Sequence, residues 1–192
     1  MRRKKSKIPD DLHDIDDEVL RTYLEKYDFD VPEAIDWDLM IQGIELLISG
    51  KPFDSPIYDF DTQKRKDECE KLMPNKIIII EGSLIFSNEN IRKYFDLKVY
   101  IETDNDVRLA RRVKSEQSKF NKDYKLQDCL KRYLQFVKPA TEKYVEPSKI
   151  YTDIIIPNFH FDTDDENKFI LVQLIINHCH KTNPKIDAFK LE

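Results

Sequence analysis

The chain has 192 residues, 40% hydrophobic and 36% charged, which is enough to bury one sizeable core in a single domain. Its formal net charge of −5 argues against general binding to a nucleic-acid backbone. The three scattered cysteines offer neither a disulfide framework nor a C-x-x-C pair, which favours a reducing, cytoplasmic compartment. No apolar run is long enough to span a membrane, so we expect no membrane partner.

Residues 1–26 are weakly patterned, and we expect a poorly ordered N-terminal segment with one helix near 16–26. The basic run at 2–7 is interpreted as a solvated start, with nuclear targeting as the alternative. Next, Asp36 precedes an apolar periodicity that ends at Gly50, which predicts a helix with an acidic N-cap and a C-terminal glycine. Between Pro52 and Arg65, prolines and the alternation over 57–60 predict an edge hairpin.

Four consecutive isoleucines at 77–80 are too apolar for a strand with one solvated face. They predict a strand covered on both faces, inside a parallel α/β sheet. Glu81 and Gly82 follow at its carboxyl end, where open α/β sheets place their ligands. The pattern therefore indicates a phosphate or metal site at this edge, with a merely structural acid as the alternative.

The second half of the chain alternates short apolar strands with helices. We predict a helix near 88–95, a strand at 97–102, and a helix opened by Thr103 and Asp104. A further helix at 126–137 is expected to stop at Pro139, before a strand at 153–157 and a helix near 166–179. This order predicts a parallel α/β domain over residues 27–182 with a tail at 183–192.

Glycine is scarce: Gly43, Gly50 and Gly82 are the complete set, where average usage predicts roughly thirteen. A phosphate-cradling Walker A loop needs two glycines followed by Lys-Ser or Lys-Thr. Neither G-x-x-x-x-G-K-[ST] nor G-x-G-x-x-G occurs in these 192 residues. The sequence thus contains no phosphate-binding loop of a known type.

Several short motifs follow one another in a recognisable order. They are FD-x-P-x-A at 29–34, P-x-YDF at 56–60, EG at 81–82, YIETD at 100–104, RLARR at 108–112, FVKP at 136–139 and YTDIIIP at 151–157. In this order and spacing the chain resembles the uridine-cytidine kinase family, P-loop nucleoside kinases of the phosphoribulokinase/uridine kinase superfamily. The resemblance covers residues 27–157 and marks the chain as N-terminally truncated and divergent.

The resemblance implies an enzyme that transfers the γ-phosphoryl of ATP to the 5′-hydroxyl of uridine or cytidine with Mg²⁺. It implies a three-layer, parallel-sheet P-loop kinase fold with an edge hairpin, here lacking the Walker A strand and loop. Asp30 would accept hydrogen bonds from ribose hydroxyls, with Phe29 beside it. Tyr58 and Phe60 would line the nucleobase pocket, and Arg112 would approach the ribose or the phosphate.

Glu81 would take the Walker B-like position, near Mg²⁺ through water. Each of these residues also has a structural interpretation. Asp30 can cap a turn, Tyr58 and Phe60 can be sheet packing, Arg112 can belong to a solvated helix face, and Glu81 can be satisfied by backbone N–H groups. The flanking histidines at 178 and 180 are not expected to share a metal, since i,i+2 residues of a helix do not share a face.

The chain also departs from the family pattern. No apolar strand precedes the acids at 10, 11 and 14, which are candidates for the general base by proximity alone. Gln63 stands where the family has a base-recognising histidine, and Arg132 replaces a glutamine. In a lid that is normally arginine-rich, Ser115 and Phe120 are found, with Lys122 as the basic substitute.

Two classes of function follow. The first is a nucleoside kinase relative, with ATP and Mg²⁺ implied by the family but doubtful for this chain, which we expect to be weak or inactive alone. The second is non-catalytic: a nucleoside-binding pseudokinase, a regulatory partner in a homo- or hetero-oligomer with a related kinase, or a degenerate fragment. A pyrimidine nucleoside is the expected ligand of the first class and of the nucleoside-binding form.

Overall fold

The computed structural model describes residues 27–59, 64–120, 125–158 and 175–177. Helix α1 (Trp37–Ile48) has Asp36 as its N-cap, whose carboxylate accepts a hydrogen bond from the backbone N–H of Leu39 at 3.3 Å. The helix ends ahead of Gly50, which has a φ of 78°. A left-handed residue after the last turn suits glycine, so the predicted helix, its cap and its glycine are confirmed.

A β-hairpin follows α1 directly. Strands β1 (Phe53–Asp59) and β2 (Lys64–Leu72) are antiparallel, with Phe53 opposite Leu72 and Asp59 opposite Lys64. The register shifts between Pro56 and Tyr58, because proline has no N–H to give to the ladder. The predicted hairpin is confirmed, with a second strand that continues past Arg65 as far as Leu72. Its predicted place at the edge of a larger sheet is not, since among the described residues it forms a two-stranded sheet of its own.

The strand predicted at residues 77–80 is wrong: these residues pair with no strand of the described chain, and Ile79 is 86% exposed. A strand so apolar is stable only where neighbours satisfy its backbone groups and cover both faces. Among the residues that the structure describes, no strand lies beside it. Ile80 alone reaches the core, where it packs against a small apolar cluster.

That cluster is a hydrophobic core formed between α1 and residues 80–95. Its buried members are Ile44 of α1, Ile85 and the fully buried Ile91. Ile91 lies in the single-turn helix α2 (Glu89–Arg92), which is capped by the side chain of Asn88. The helix predicted at 88–95 is therefore confirmed in place but is one turn long, continued by hydrogen-bonded turns to Phe95.

The parallel arrangement appears in strands β3 (Val99–Glu102) and β4 (Ile154–Pro157). Val99 lies opposite Ile154 and Glu102 opposite Pro157. The prediction of two parallel strands here is confirmed, and the chain is mixed α/β. The described residues form two separate two-stranded sheets, and the continuous parallel sheet of a three-layer fold is not seen among them.

Helix α3 (Asn105–Phe120) connects β3 to a long helical segment at residues 126–151. This segment begins as α4 (Leu126–Arg132) and continues through π-type turns on both sides of Pro139. The predicted stop at Pro139 is wrong. Proline removes one i→i−4 hydrogen bond, and a change to wider turns accommodates that loss without ending the helix.

Several predictions lie outside the described residues. They concern the segment 1–26, the tail 183–192, Phe60, Gln63, Lys122, the acids at 10, 11 and 14, the histidines at 178 and 180, and all but 175–177 of the C-terminal helix. Within the described part of the chain, no helix is long and apolar enough to cross a membrane.

Candidate functional site

A tight turn ahead of α1 presents Asp30. The carboxylate of Asp28 accepts a hydrogen bond from the backbone N–H of Asp30 at 2.8 Å, so Asp28 is the residue that closes the turn. Phe29 between them is buried, with its ring centroid 4.6 Å from that of Tyr27. The half-buried Asp30 carboxylate makes no hydrogen bond or ion pair to a described residue. The Asp30 carboxylate is thus available to accept hydrogen bonds from a ligand.

The surroundings of this turn shift the pKa of Asp28. Burial raises the pKa of Asp28 above its ordinary value, and the neighbouring charge of Asp30 adds to the rise. The hydrogen bond from the Asp30 N–H and the charge of Arg132 act in the opposite direction. Desolvation dominates because the carboxylate loses water that these partners do not replace.

The hairpin places Tyr58 on β1, where its side chain is half-buried. The hairpin is tied to the start of α1, because Nη2 of Arg65 lies 2.9 Å from Oδ2 of Asp36. Asp36 itself follows the Asp30 turn by six residues. The hairpin that carries Tyr58 is therefore fixed at the N-terminus of α1, and Asp30 precedes that point in the chain by six residues.

Arg112 lies on α3 and is half-buried. Its Nη2 is 2.6 Å from Oε1 of Glu116, an i,i+4 ion pair, and its Nε is buried without a hydrogen-bond partner. Ser115, in the lid region, is exposed on the same helix. No hydrogen bond or ion pair within the described residues joins Arg112 to Asp30 or to Glu81.

Glu81 is exposed and follows the unpaired residues 77–80. The described chain contains no group of three or more His, Cys, Asp or Glu side chains that could hold a metal ion. Mg²⁺ is commonly held by one or two carboxylates together with waters and substrate phosphates. Glu81 fits the role of a single, water-mediated acid, and the rest of a magnesium site would come from outside the described residues.

A cavity of about 160 Å³ opens at the carboxyl end of β3. Two ion pairs line it, one between Lys149 and Glu102 and one between Arg108 and Glu146, whose Nη2 and Oε1 are 3.1 Å apart. The hydrogen bond with Glu102 raises the pKa of Lys149, and burial raises the pKa of Tyr100 at the cavity wall. The cavity lies where α/β sheets bind ligands, but its cations are paired with its own acids.

The sequence singled out Arg108 only within the RLARR motif at 108–112, and it did not identify Lys149 or Glu146 at all. These residues come from the 3₁₀ turn at Glu146–Tyr151, and Glu146 is 38 residues away from Arg108 in sequence. Opposite charges that far apart give no local pattern, so a single sequence could not have joined them. The alternation of strand and helix did locate the sheet edge to which they belong.

The fold and these sites define a mixed α/β protein with polar side chains gathered at a sheet edge and at a helix N-terminus. Comparison with known families identifies the class. Residues 7–163 match the model of the phosphoribulokinase / uridine kinase family, which is most of the chain. The chain belongs to this family, and the family resemblance seen in its sequence is confirmed.

Individual relatives agree. The chain is 35% identical over 170 residues to the chloroplastic uridine/cytidine kinase UKL1 of Arabidopsis thaliana, covering 88% of this chain and 34% of the relative. It is 37% identical over 153 residues to uridine-cytidine kinase 2-B of Danio rerio, covering 80% and 56%. It is 36% identical over 132 residues to a uridine kinase of Streptococcus agalactiae serotype V, covering 69% and 62%. The chain thus spans between a third and two thirds of these relatives.

Proposed function

We propose that this chain binds a pyrimidine ribonucleoside, uridine or cytidine, as a relative of the uridine/cytidine kinases. One observation carries the proposal: the half-buried carboxylate of Asp30 has no partner within the described residues, and the Asp28 turn holds it at the start of α1. A half-buried carboxylate without a protein partner is accessible and can accept hydrogen bonds from a bound ligand. Ribose hydroxyls are donors of the required kind.

The other candidate residues take roles that match their chemistry. Tyr58, with Phe60 two residues further along the chain, would contact the planar base, since aromatic faces pack against π-systems. Arg112 would donate to the ribose or to the transferred phosphate, using donors such as its unpartnered Nε. Glu81 would sit near Mg²⁺ through water. All of these assignments are proposals for this chain.

We further propose that these 192 residues transfer phosphate weakly or not at all by themselves. Phosphoryl transfer depends on positioning ATP and neutralising the charge of its phosphates. The sequence has neither the glycines nor the Lys-Ser/Thr pair of a phosphate-cradling loop. Loss of a single phosphate-clamp group can lower the rate by roughly 10³-fold or more. Binding of ATP and Mg²⁺ is therefore expected to be poor.

A second candidate is a non-catalytic nucleoside-binding partner of an active kinase, in the cytoplasm or, given the basic residues at 2–7, the nucleus. The observation that favours it is the apolar surface left open along the sheet of β3 and β4. Ile101 is 61% exposed, and Ile155 is exposed on the adjacent strand. Parallel strands are normally covered on both faces, so another polypeptide could bind there. A degenerate fragment that folds poorly is the remaining possibility.

Isothermal titration with uridine, cytidine and ATP tests the proposal. We expect saturable binding of uridine or cytidine and little binding of ATP with Mg²⁺, with no UMP formed in an assay containing all three. The Asp30→Ala variant should lose nucleoside binding, while Asp38→Ala, which removes an exposed carboxylate eight residues away, should retain it. Failure of the wild-type chain to bind either nucleoside would overturn the proposal, and measurable turnover would overturn the expected inactivity.

A further inference from the structure

Arg112 forms its ion pair within its own helix. Its Nη2 lies 2.6 Å from Oε1 of Glu116, one turn further along α3, and the two side chains are 31% and 23% exposed. Nε of Arg112 is buried and has no hydrogen-bond partner among the described residues. The guanidinium therefore meets the acid through Nη2, in a pair that is partly shielded from water.

The other two arginines of the RLARR motif at 108–112 pair with other elements. Nη2 of Arg108 lies 3.1 Å from Oε1 of Glu146, and Nη2 of Arg111 lies 3.3 Å from Oδ1 of Asn158. These contacts join α3 to residues 38 and 47 positions away in sequence, so they help to fix the helix in the fold. The ion pair of Arg112 lies within one helix, where an i,i+4 pair contributes little to stability. Its acid can therefore be neutralised without displacing α3.

The nitrogen that faces Glu116 is the one that an anion needs most. An arginine holds a phosphate group best through two parallel N–H bonds. A guanidinium has two edges that can form such a pair of bonds, the end edge with Nη1 and Nη2 and the side edge with Nε and Nη2. Both edges include Nη2, where the Glu116 carboxylate lies. A phosphate that binds Arg112 by either edge therefore has to displace this carboxylate.

The charge of Glu116 opposes a phosphate as well. A group bound at the Arg112 guanidinium would lie beside the carboxylate, and like charges at such short distances repel each other. Because both side chains are mostly shielded from water, salt screens this repulsion less than it would on an open surface. An uncharged ligand meets no such repulsion, so the effect of Glu116 depends on the charge of what binds.

We infer that Glu116 is an intramolecular competitor for the anion site at Arg112, and that it weakens the binding of a nucleoside 5′-monophosphate to this chain. The inference rests on the proposed function, in which Arg112 approaches the ribose or the phosphate. It goes further, since it names the residue that controls this contact. Removing the negative charge of Glu116 frees Nη2 of Arg112 for the phosphate and removes the repulsion. The uncharged nucleoside gains far less from the same change.

The experiment compares UMP with uridine by isothermal titration on the full chain. We expect Glu116→Gln to bind UMP about 3-fold to 10-fold more tightly than the wild-type chain, the effect of one partly shielded charge. Its affinity for uridine should change by less than about 2-fold. Glu116→Asp keeps the charge and should stay close to the wild-type chain, and Arg112→Gln combined with Glu116→Gln should lose the gain. Glu142→Gln is the matched control, because it removes the acid of another i,i+4 pair, with Lys138, and changes the net charge equally.

The outcomes separate the two proposals. If uridine binds and Glu116→Gln leaves the affinity for UMP unchanged, the role of Glu116 is overturned and the proposed function survives. The inference also fails if Glu142→Gln gives the same gain, if uridine gains as much as UMP, or if the double variant keeps the gain. If the wild-type chain and Glu116→Gln bind neither compound, both proposals fail. Thermal melts show whether each variant is folded, and Glu116→Ala, a good helix former, takes the place of Glu116→Gln if that variant unfolds.

Discussion

Asp36 and Arg65 are 29 residues apart in sequence, and they join the first helix to the hairpin. Nη2 of Arg65 lies 2.9 Å from Oδ2 of Asp36, while Oδ1 of the same carboxylate caps α1 through the N–H of Leu39. Both side chains are mostly buried, at 14% and 21% exposure. One carboxylate therefore fixes where the helix begins and where the hairpin lies against it.

Substitution of Asp36 should separate these two roles. Asp36→Ala removes the cap, worth about 1 kcal/mol, and leaves the buried Arg65 without this partner, for a total loss of about 2–4 kcal/mol. Asp36→Asn keeps an oxygen for the cap and removes the charge, so it should lose less. Urea unfolding followed by circular dichroism measures both. Equal losses in the two variants would show that the cap contributes nothing.

Gly43 lies where α1 packs against β1. A Cβ atom at this position would be 2.7 Å from Cε1 of Phe53, closer than side chains normally approach. We expect Gly43→Val to lower the free energy of unfolding by about 1–3 kcal/mol, the range for overpacking.

Gln42→Val is the control for this substitution, since it places the same side chain on an exposed position of the same helix. Its effect should be limited to helix propensity, a few tenths of a kcal/mol. A Gly43→Val protein as stable as the control would mean that α1 and the hairpin are further apart in solution.

One buried and one exposed isoleucine test which residues form the hydrophobic core. Ile91 is fully buried in the cluster with Ile44 and Ile85, and Ile91→Ala should cost about 2–5 kcal/mol. Ile79 is exposed in the segment that was expected to be a strand, and Ile79→Ala should change stability by less than about 0.5 kcal/mol. Chemical denaturation of both variants measures the difference. A large loss on Ile79→Ala would show that another chain or segment covers this residue in solution.

The turn acid Asp28 should make stability depend on pH. Burial raises its folded-state pKa above 3.8, so the folded chain binds more protons than the unfolded chain between the two values. Its contribution to the free energy of unfolding therefore falls as pH rises through that window. Asp28→Asn removes this dependence and keeps an oxygen for the N–H of Asp30.

We expect Asp28→Asn to gain stability relative to the wild-type chain as pH increases from 3 to 7, measured by urea unfolding at each pH. Asp38→Asn is the control, because it removes one exposed carboxylate from the first turn of α1. A difference between wild type and Asp28→Asn that stays constant across this range would contradict the assignment of the burial effect to Asp28.

Local sequence patterns predicted those elements whose conformation is set by residues close together in the chain. The cap at Asp36, the glycine at Gly50, the hairpin and the two apolar parallel strands all follow from residues close together in sequence. The isoleucines at 77–80 carry an equally strong strand pattern, yet a strand exists only beside another strand, and composition cannot say whether that neighbour is present. The ion pair of Arg108 with Glu146 joins residues that are 38 positions apart. A local sequence pattern cannot predict it, because it also depends on a partner that is distant in sequence.

The features of the candidate site also fall into those that the sequence could predict and those that it could not. Motif order located Asp30, Tyr58 and Arg112, because the family's residue types recur in this chain. It could not show that Asp28 rather than Asp30 closes the turn, since both are acids that can accept a hydrogen bond from the backbone. That division decides which of the two carboxylates is left open to a ligand.

The wide turns around Pro139 also change how the long helical segment should be aligned with a relative. A π-type turn holds one residue more than an α-turn, and each inserted residue rotates everything after it by about 100° around the axis. Two such turns, Tyr133–Val137 and Thr141–Val145, lie between Arg132 and Lys149. A straight α-helix drawn through this sequence would therefore aim Arg132 and Lys149 in the wrong relative directions. Comparisons of the Arg132 end of this segment with the sheet-edge cavity at Lys149 therefore need the observed turns, since an ideal helix would misplace one end relative to the other.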